Sequence, residues 1–155
     1  MGAGDLSVAT RGFTGRGRPP VAPDRLPPGQ FVTDDFPVLS AGPTPRVDPA
    51  AWTFTLRVGP RPVKQWTWAA FGRLPISRIT RDIHCVTKWS KFDTVWEGVM
   101  IDDLLADAGL APPTPYVLAH TVDGYSANVP TADLVGGRAM IATRYGGREL
   151  HREHG

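Results

Sequence analysis

The sequence predicts an α+β fold, loop-rich and mixed, with several short strands and three short helices. Three observations predict it. Glycine and proline number 17 and 16 of 155 residues, above ordinary usage of roughly 7% and 5%, so regular elements must be short. Several brief runs alternate apolar and polar residues at the period of a half-buried strand. Between them lie short stretches opened by helix-capping residues and closed by glycine or proline. A composition of 41% hydrophobic and 21% charged residues is globular, and the length suits one domain with a sizeable core.

Residues 1–30 are rich in Gly, Pro and Arg and poor in large apolar side chains. They read as an extended or disordered N-terminal arm, in which Arg11, Arg16 and Arg18 are a solvated set rather than a phosphate-binding one. The domain proper is expected over 31–155. Its first stretch, "FPVLSAGPTPRVDP", is extended because its prolines exclude regular helix. "WTFTLRV" (52–58) alternates and is a strand, and "GPRP" is a turn. "TWAAFGRLP" (67–75) fits a short helix capped by Thr67 and stopped by Pro75. "ISRITRDIHCV" (76–86) is a β-branched strand with Cys85 near its end, and "TVWEGVMI" a third, short strand. "DDLLADAGL" is a helix with Asp102 as N-cap and Gly109 just beyond its C-terminus. "YVLAHTV" (116–122) and "YSANVP" (125–130) are strands joined at a tight Asp123-Gly124 turn. "TADLVGG" is a helical turn or two, and "AMIATRY" a strand followed by a turn at "GGREL". There is no internal repeat.

A net charge of +2 gives little support to a nucleic-acid binder. No apolar run approaches the roughly 20 residues of a membrane span, and the first 20 residues lack the apolar core of a secretory signal. With one cysteine there is no disulfide framework. A cytoplasmic protein is expected.

That cysteine, Cys85 in "DIHCVTKWSK", carries the chemical interest. Free cysteine packs as a small hydrophobe more often than it acts. A thiolate, however, is a nucleophile and a metal ligand, and nearby cations lower its pKa; His84, Lys88 and Lys91 are close in sequence. A zinc site lacks recognised ligand spacing. A cysteine hydrolase would need one of His120, His151 or His154, with an acid such as Asp123, brought to Cys85.

Over "DIHCVTKWSKFDTVWEGVMIDDLLADAGL" the chain resembles the sulfite oxidase family of molybdopterin-dependent oxidoreductases, in particular its short bacterial branch. The shared pattern is a cysteine ending a strand, then Trp-Ser, then a Trp-x-Gly-Val strand entering a "DDLLA" helix. "DFPVLSAGPTP", "YVLAHTVDGYSANVP" and the final "EHG" follow the family in order, so the resemblance covers roughly residues 30–155. It implies a sulfite-oxidase-type molybdopterin-binding domain whose cofactor is molybdenum–molybdopterin. Cys85 is then the molybdenum ligand. Thr121 and His154 lie close to the cofactor, and Phe36, Val38 and Leu39 lie against the pterin. Lys88 and Lys91 are candidates for an anionic phosphate or substrate. The implied activity is oxygen-atom transfer on a small oxyanion or sulfoxide. With no haem motif, a separate electron carrier would serve as partner. In the family, "EHG" continues into further strands that carry phosphate-binding arginine and lysines. This chain is accordingly expected to be the N-terminal portion of the domain, incomplete at its C-terminus. The alternative function is a truncated, non-catalytic interaction module without cofactor.

Overall fold

The computed structural model describes residues 24–39 and 42–154. Among these the elements are β1 (Phe31–Val32), β2 (Thr53–Val58), β3 (Arg61–Thr67), α1 (Trp68–Phe71), β4 (Ser77–His84) and β5 (Trp89–Met100). They continue with α2 (Ile101–Asp107), β6 (Tyr116–His120), β7 (Ser126–Pro130), α3 (Thr131–Leu134), β8 (Met140–Tyr145) and β9 (Arg148–Glu149). The α+β class holds. No helix among the described residues is long and apolar enough to cross a membrane. The chain divides into two compact units, one drawing on residues up to Leu39 and Thr80–Thr94, the other on the remainder.

The first unit is a hairpin with a strap. β4 pairs with β5, and β1 runs parallel to the start of β5, with Phe31 opposite Trp89 and Val32 opposite Ser90. Trp89, Ser90, Val32 and Thr94 are buried, and the Phe36 ring meets Trp89 edge-on at 6.1 Å. A strand was expected only from Thr94 onward. In fact Trp89–Asp93 are strand as well, because β4 turns straight back through residues 85–88 rather than entering a loop. Arg11, Arg16 and Arg18 of the expected arm lie outside the described residues. Arg25, within it, forks onto Asp82 at 2.7 Å and reaches Asp93 at 2.8 Å, with its guanidinium 4.6 Å above the Phe92 ring.

The second unit carries the hydrophobic core of Trp66, Phe71, Val99 and Leu104, with Trp52, Phe54, Leu56 and Ile141 packed against it. β2 and β3 form an antiparallel hairpin. β3 was missed in the sequence because Pro62 argues against a strand. The proline is accommodated opposite Arg57, beside the register shift between Leu56 and Arg57, where a missing ladder donor is tolerated. Thr67 does cap α1, accepting from the Ala70 amide at 3.2 Å, although the helix ends at Phe71 rather than near Pro75. Replacing Thr67 with alanine is expected to lower stability by about 1 kcal/mol, read from the shift in the urea midpoint; an unchanged midpoint would contradict the cap.

α2 ends as expected. The Gly109 amide bonds Ala106 and the Leu110 amide bonds Leu105, each at 3.0 Å, the paired bonds of a Schellman stop with glycine in the left-handed region at φ 62°. Its beginning differs. The helix starts at Ile101 after Met100, so Asp102 lies in the first turn and is not the N-cap. Its carboxylate instead accepts from the amides of Gly136 and Gly137 at 3.0 and 2.7 Å, which holds it below the usual carboxylate range. That contribution is present at neutral pH and fades as pH falls through the lowered pKa. At the other end, Asp107 accepts from the Trp66 indole at 2.7 Å and pairs with Lys64 at 2.8 Å, tying α2 to β3. β8 is antiparallel to the second half of β5, with Gly98 opposite Ala142 after a register shift at Glu97/Gly98.

β6 and β7 form the expected hairpin, but its loop is longer than the two residues foreseen. The Thr121 amide bonds the Tyr125 carbonyl at 3.0 Å, and the Gly124 amide bonds the Thr121 carbonyl at 3.2 Å. Gly124 sits at φ 87°. This is a three-residue loop closed by a left-handed residue.

Candidate active site

Cys85 lies just past the end of β4, in a turn built like the one at Gly124. Its amide bonds the Trp89 carbonyl at 2.9 Å, and its own carbonyl accepts from the Lys88 amide at 3.0 Å. Lys88 occupies the left-handed position at φ 70°, where the related turn has glycine. A side chain there costs roughly 1–2 kcal/mol. So tight a turn is not legible in residues 85–88, which include no glycine, asparagine or aspartate.

The geometry presents the thiol rather than burying it. Cys85 is partly exposed and Val86, at the apex, is 90% exposed, so the role of core filler does not apply. The Thr87 hydroxyl donates to Cys85 Sγ at 3.2 Å. That bond, helped by the backbone amides of Thr87 and Val86, holds the thiol pKa below its ordinary value. Neither lysine named from the sequence is among the causes, and Lys91 donates instead to the Asp34 carbonyl. Thr87→Val is expected to raise the pH midpoint for alkylation of the chain's single cysteine, slowing its labelling at neutral pH; an unmoved midpoint would exclude the hydroxyl as the cause.

Behind the turn, a chain of polar side chains runs inward. Ser90, fully buried, has its oxygen 2.5 Å from Gln30 Oε1 and 2.9 Å from His84 Nδ1. Gln30 Nε2 in turn lies 3.4 Å from the Cys85 carbonyl. One assignment of protons avoids facing acceptors: His84 Nδ1–H donates to Ser90, Ser90 to Gln30, and Gln30 to Cys85. With its Nδ1 so engaged, His84 supports Ser90 behind the turn. Of these residues, Thr87 had a readable signal, a hydroxyl two positions after the acceptor. Gln30 had none, being 55 residues away in sequence.

The remaining sequence-derived residues divide between the units. In the first, Phe36 packs on Trp89, whereas Val38 and Leu39 are exposed at 43% and 74% and so are not core residues. In the second, Thr121 is exposed at the hairpin tip. Its hydroxyl donates to the Asp123 carboxylate and also lies 3.2 Å from the Tyr125 carbonyl. His154 is half-buried; its amide bonds the His151 carbonyl at 2.7 Å. No group of three or more His, Cys, Asp or Glu that could hold a metal occurs among the described residues. The hydrogen-bond partner of Cys85 Sγ is a threonine, and not the histidine that a cysteine hydrolase would use.

Residues 41–155 match the family described as the oxidoreductase molybdopterin binding domain. The chain belongs to that family. It is also similar to YuiH, an uncharacterized oxidoreductase of Bacillus subtilis (strain 168), with 33% identity over 132 residues, 84% of this chain and 67% of the relative. Within this molybdopterin-binding domain Cys85, Thr121 and His154 all fall in the matched span, while Phe36, Val38 and Leu39 precede it.

Proposed function

We propose that this molybdopterin-binding domain is an oxidoreductase that transfers an oxygen atom to or from a small oxyanion or sulfoxide, with molybdenum held through Cys85. The observation that carries the reading is the Cys85 turn. A partly exposed thiol with a lowered pKa stands at its edge, and no cluster of further protein ligands accompanies it among the described residues. A soft thiolate suits a thiophilic metal. A lone thiolate suits one that arrives with most of its ligands already supplied, as the dithiolene of a pterin does.

When bound, the cofactor would supply the two-electron redox chemistry. The protein's own part is to favour the thiolate through the Thr87 hydroxyl, to fix its main chain through Trp89 and Lys88, and to offer a cation, Lys88, for an anionic substrate. Thr121 and His154, and less directly Phe36, Val38 and Leu39, are proposed cofactor contacts. A ligand thiol that must stay reduced favours a reducing compartment such as the cytoplasm, and a separate carrier would deliver or remove the electrons.

Protein produced in a cofactor-making host should contain molybdenum in proportion to chain and should turn over sulfite or a simple sulfoxide with an artificial electron carrier. Molybdenum-loaded protein inert toward both substrate classes would reject the proposed chemistry. Protein devoid of molybdenum would reject the cofactor.

A further inference from the structure

The same three-residue turn occurs at 85–89 and at 121–125, and the two are secured differently. At 121–125 the left-handed residue is Gly124, which adopts that conformation freely. Its bonds are internal to the turn: Thr121 to Tyr125, Gly124 to Thr121, and the Thr121 and Asp123 side chains. At 85–89 the left-handed residue is Lys88. A strained conformation of that kind persists only where its surroundings over-determine it.

The extra restraint comes from a distant segment. Beyond the bonds it shares with its counterpart, the Cys85 turn receives two from residues 30 and 31. The Phe31 amide bonds the carbonyl of Lys88 itself at 2.9 Å, and the Gln30 carboxamide reaches the carbonyl of Cys85 at 3.4 Å. Gln30 cannot rotate away freely, because the buried Ser90 hydroxyl holds its other end at 2.5 Å and His84 holds Ser90. β1 then fastens the segment along β5, the Thr33 amide bonding the Ser90 carbonyl at 2.9 Å.

We infer that Gln30 is a positioning residue for Cys85, holding the strained turn from outside so that a lysine can occupy the left-handed position that the turn would otherwise give to glycine. Its functional consequence rests on the reading of Cys85 as the ligand of a molybdenum–pterin cofactor. Gln30 touches no reacting atom. It acts through the Cys85 carbonyl and, by that route, on the bond from the Lys88 amide.

The test is amide hydrogen exchange in the full chain, residue by residue. Gln30→Glu keeps the size and the acceptor for Ser90 but removes the donor to Cys85. It should speed exchange at Cys85 and Lys88 by about tenfold, the scale of one lost hydrogen bond. Thr33 in the same unit and Gly124 in the other turn should be unaffected. Lys88→Gly added to Gln30→Glu should restore slow exchange, because it removes the strain that Gln30 offsets. Uniform acceleration across Cys85, Lys88 and Thr33, unchanged exchange, or failure of Lys88→Gly to rescue would each overturn the inference. Should Gln30→Glu not fold, Gln30→Met, of similar length, removes the donor to Cys85 together with the acceptor for Ser90 and should likewise speed exchange at Cys85 and Lys88 and leave Gly124 unaffected.

Molybdenum content separates this from the reading beneath it. The expected exchange pattern in a protein that never takes up molybdenum would leave the positioning role standing and reject the cofactor reading. Unchanged exchange in Gln30→Glu with full molybdenum would do the reverse.

Discussion

Cys85→Ser is expected to reduce turnover to background while leaving the fold intact. Serine is nearly isosteric, so the Thr87 hydroxyl and the Thr87 and Val86 amides can bond its oxygen as they bond sulfur. The position is partly exposed, and a substitution there should change stability by no more than about 0.5 kcal/mol. What serine lacks is the chemistry. Its hydroxyl stays protonated at neutral pH, and its hard oxygen replaces the soft donor that a thiophilic metal takes up. Turnover with an artificial electron carrier and thermal unfolding, measured on the same preparation, separate the two effects. A serine variant with normal turnover would remove Cys85 from the site.

Gly98→Ala should have the largest effect on stability, and for a purely steric reason. A Cβ at this position would fall 2.1 Å from the Ile141 carbonyl oxygen and 2.7 Å from the Ala142 Cα. Both are backbone atoms of the paired strand, so neither can step aside without moving β8. The clash lies at the register shift of β5 against β8 and next to Val99, a fully buried member of the core. Overpacking typically costs about 1–3 kcal/mol, and a clash with backbone atoms belongs at the upper end, a large share of a small domain's stability. Urea unfolding checks it: a midpoint within error of the unsubstituted protein would show that the two strands can separate without penalty.

That glycine also shows what the sequence could convey. Trp-x-Gly-Val was recognisable as a pattern, yet the need for a missing Cβ became apparent only once Ile141 and Ala142 were placed opposite it. Signals that act within a few residues were readable: the Thr67 cap, the Gly109 stop, the alternation of β2, and a hairpin at Asp123-Gly124. Those settled by partners far along the chain were not. Asp102 has the composition of an N-cap, but the amides of Gly136 and Gly137 claim its carboxylate. Pro62 reads as a strand breaker until Arg57 and its register shift are seen. At the site, Cys85 stood out as the lone thiol, and Thr87 was within reach of local reasoning. The left-handed Lys88, and the Gln30 and Phe31 that restrain it, depend on a parallel pairing of β1 with β5 that no periodicity announces.

In the proposed function, Cys85 Sγ is the protein's ligand to molybdenum. X-ray absorption at the molybdenum edge of the loaded protein, compared with Cys85→Ser loaded in the same host, tests it most directly. The serine variant's metal, where retained, is expected to lose one sulfur neighbour relative to the unsubstituted protein. An identical sulfur shell in the two proteins at equal molybdenum content would contradict it.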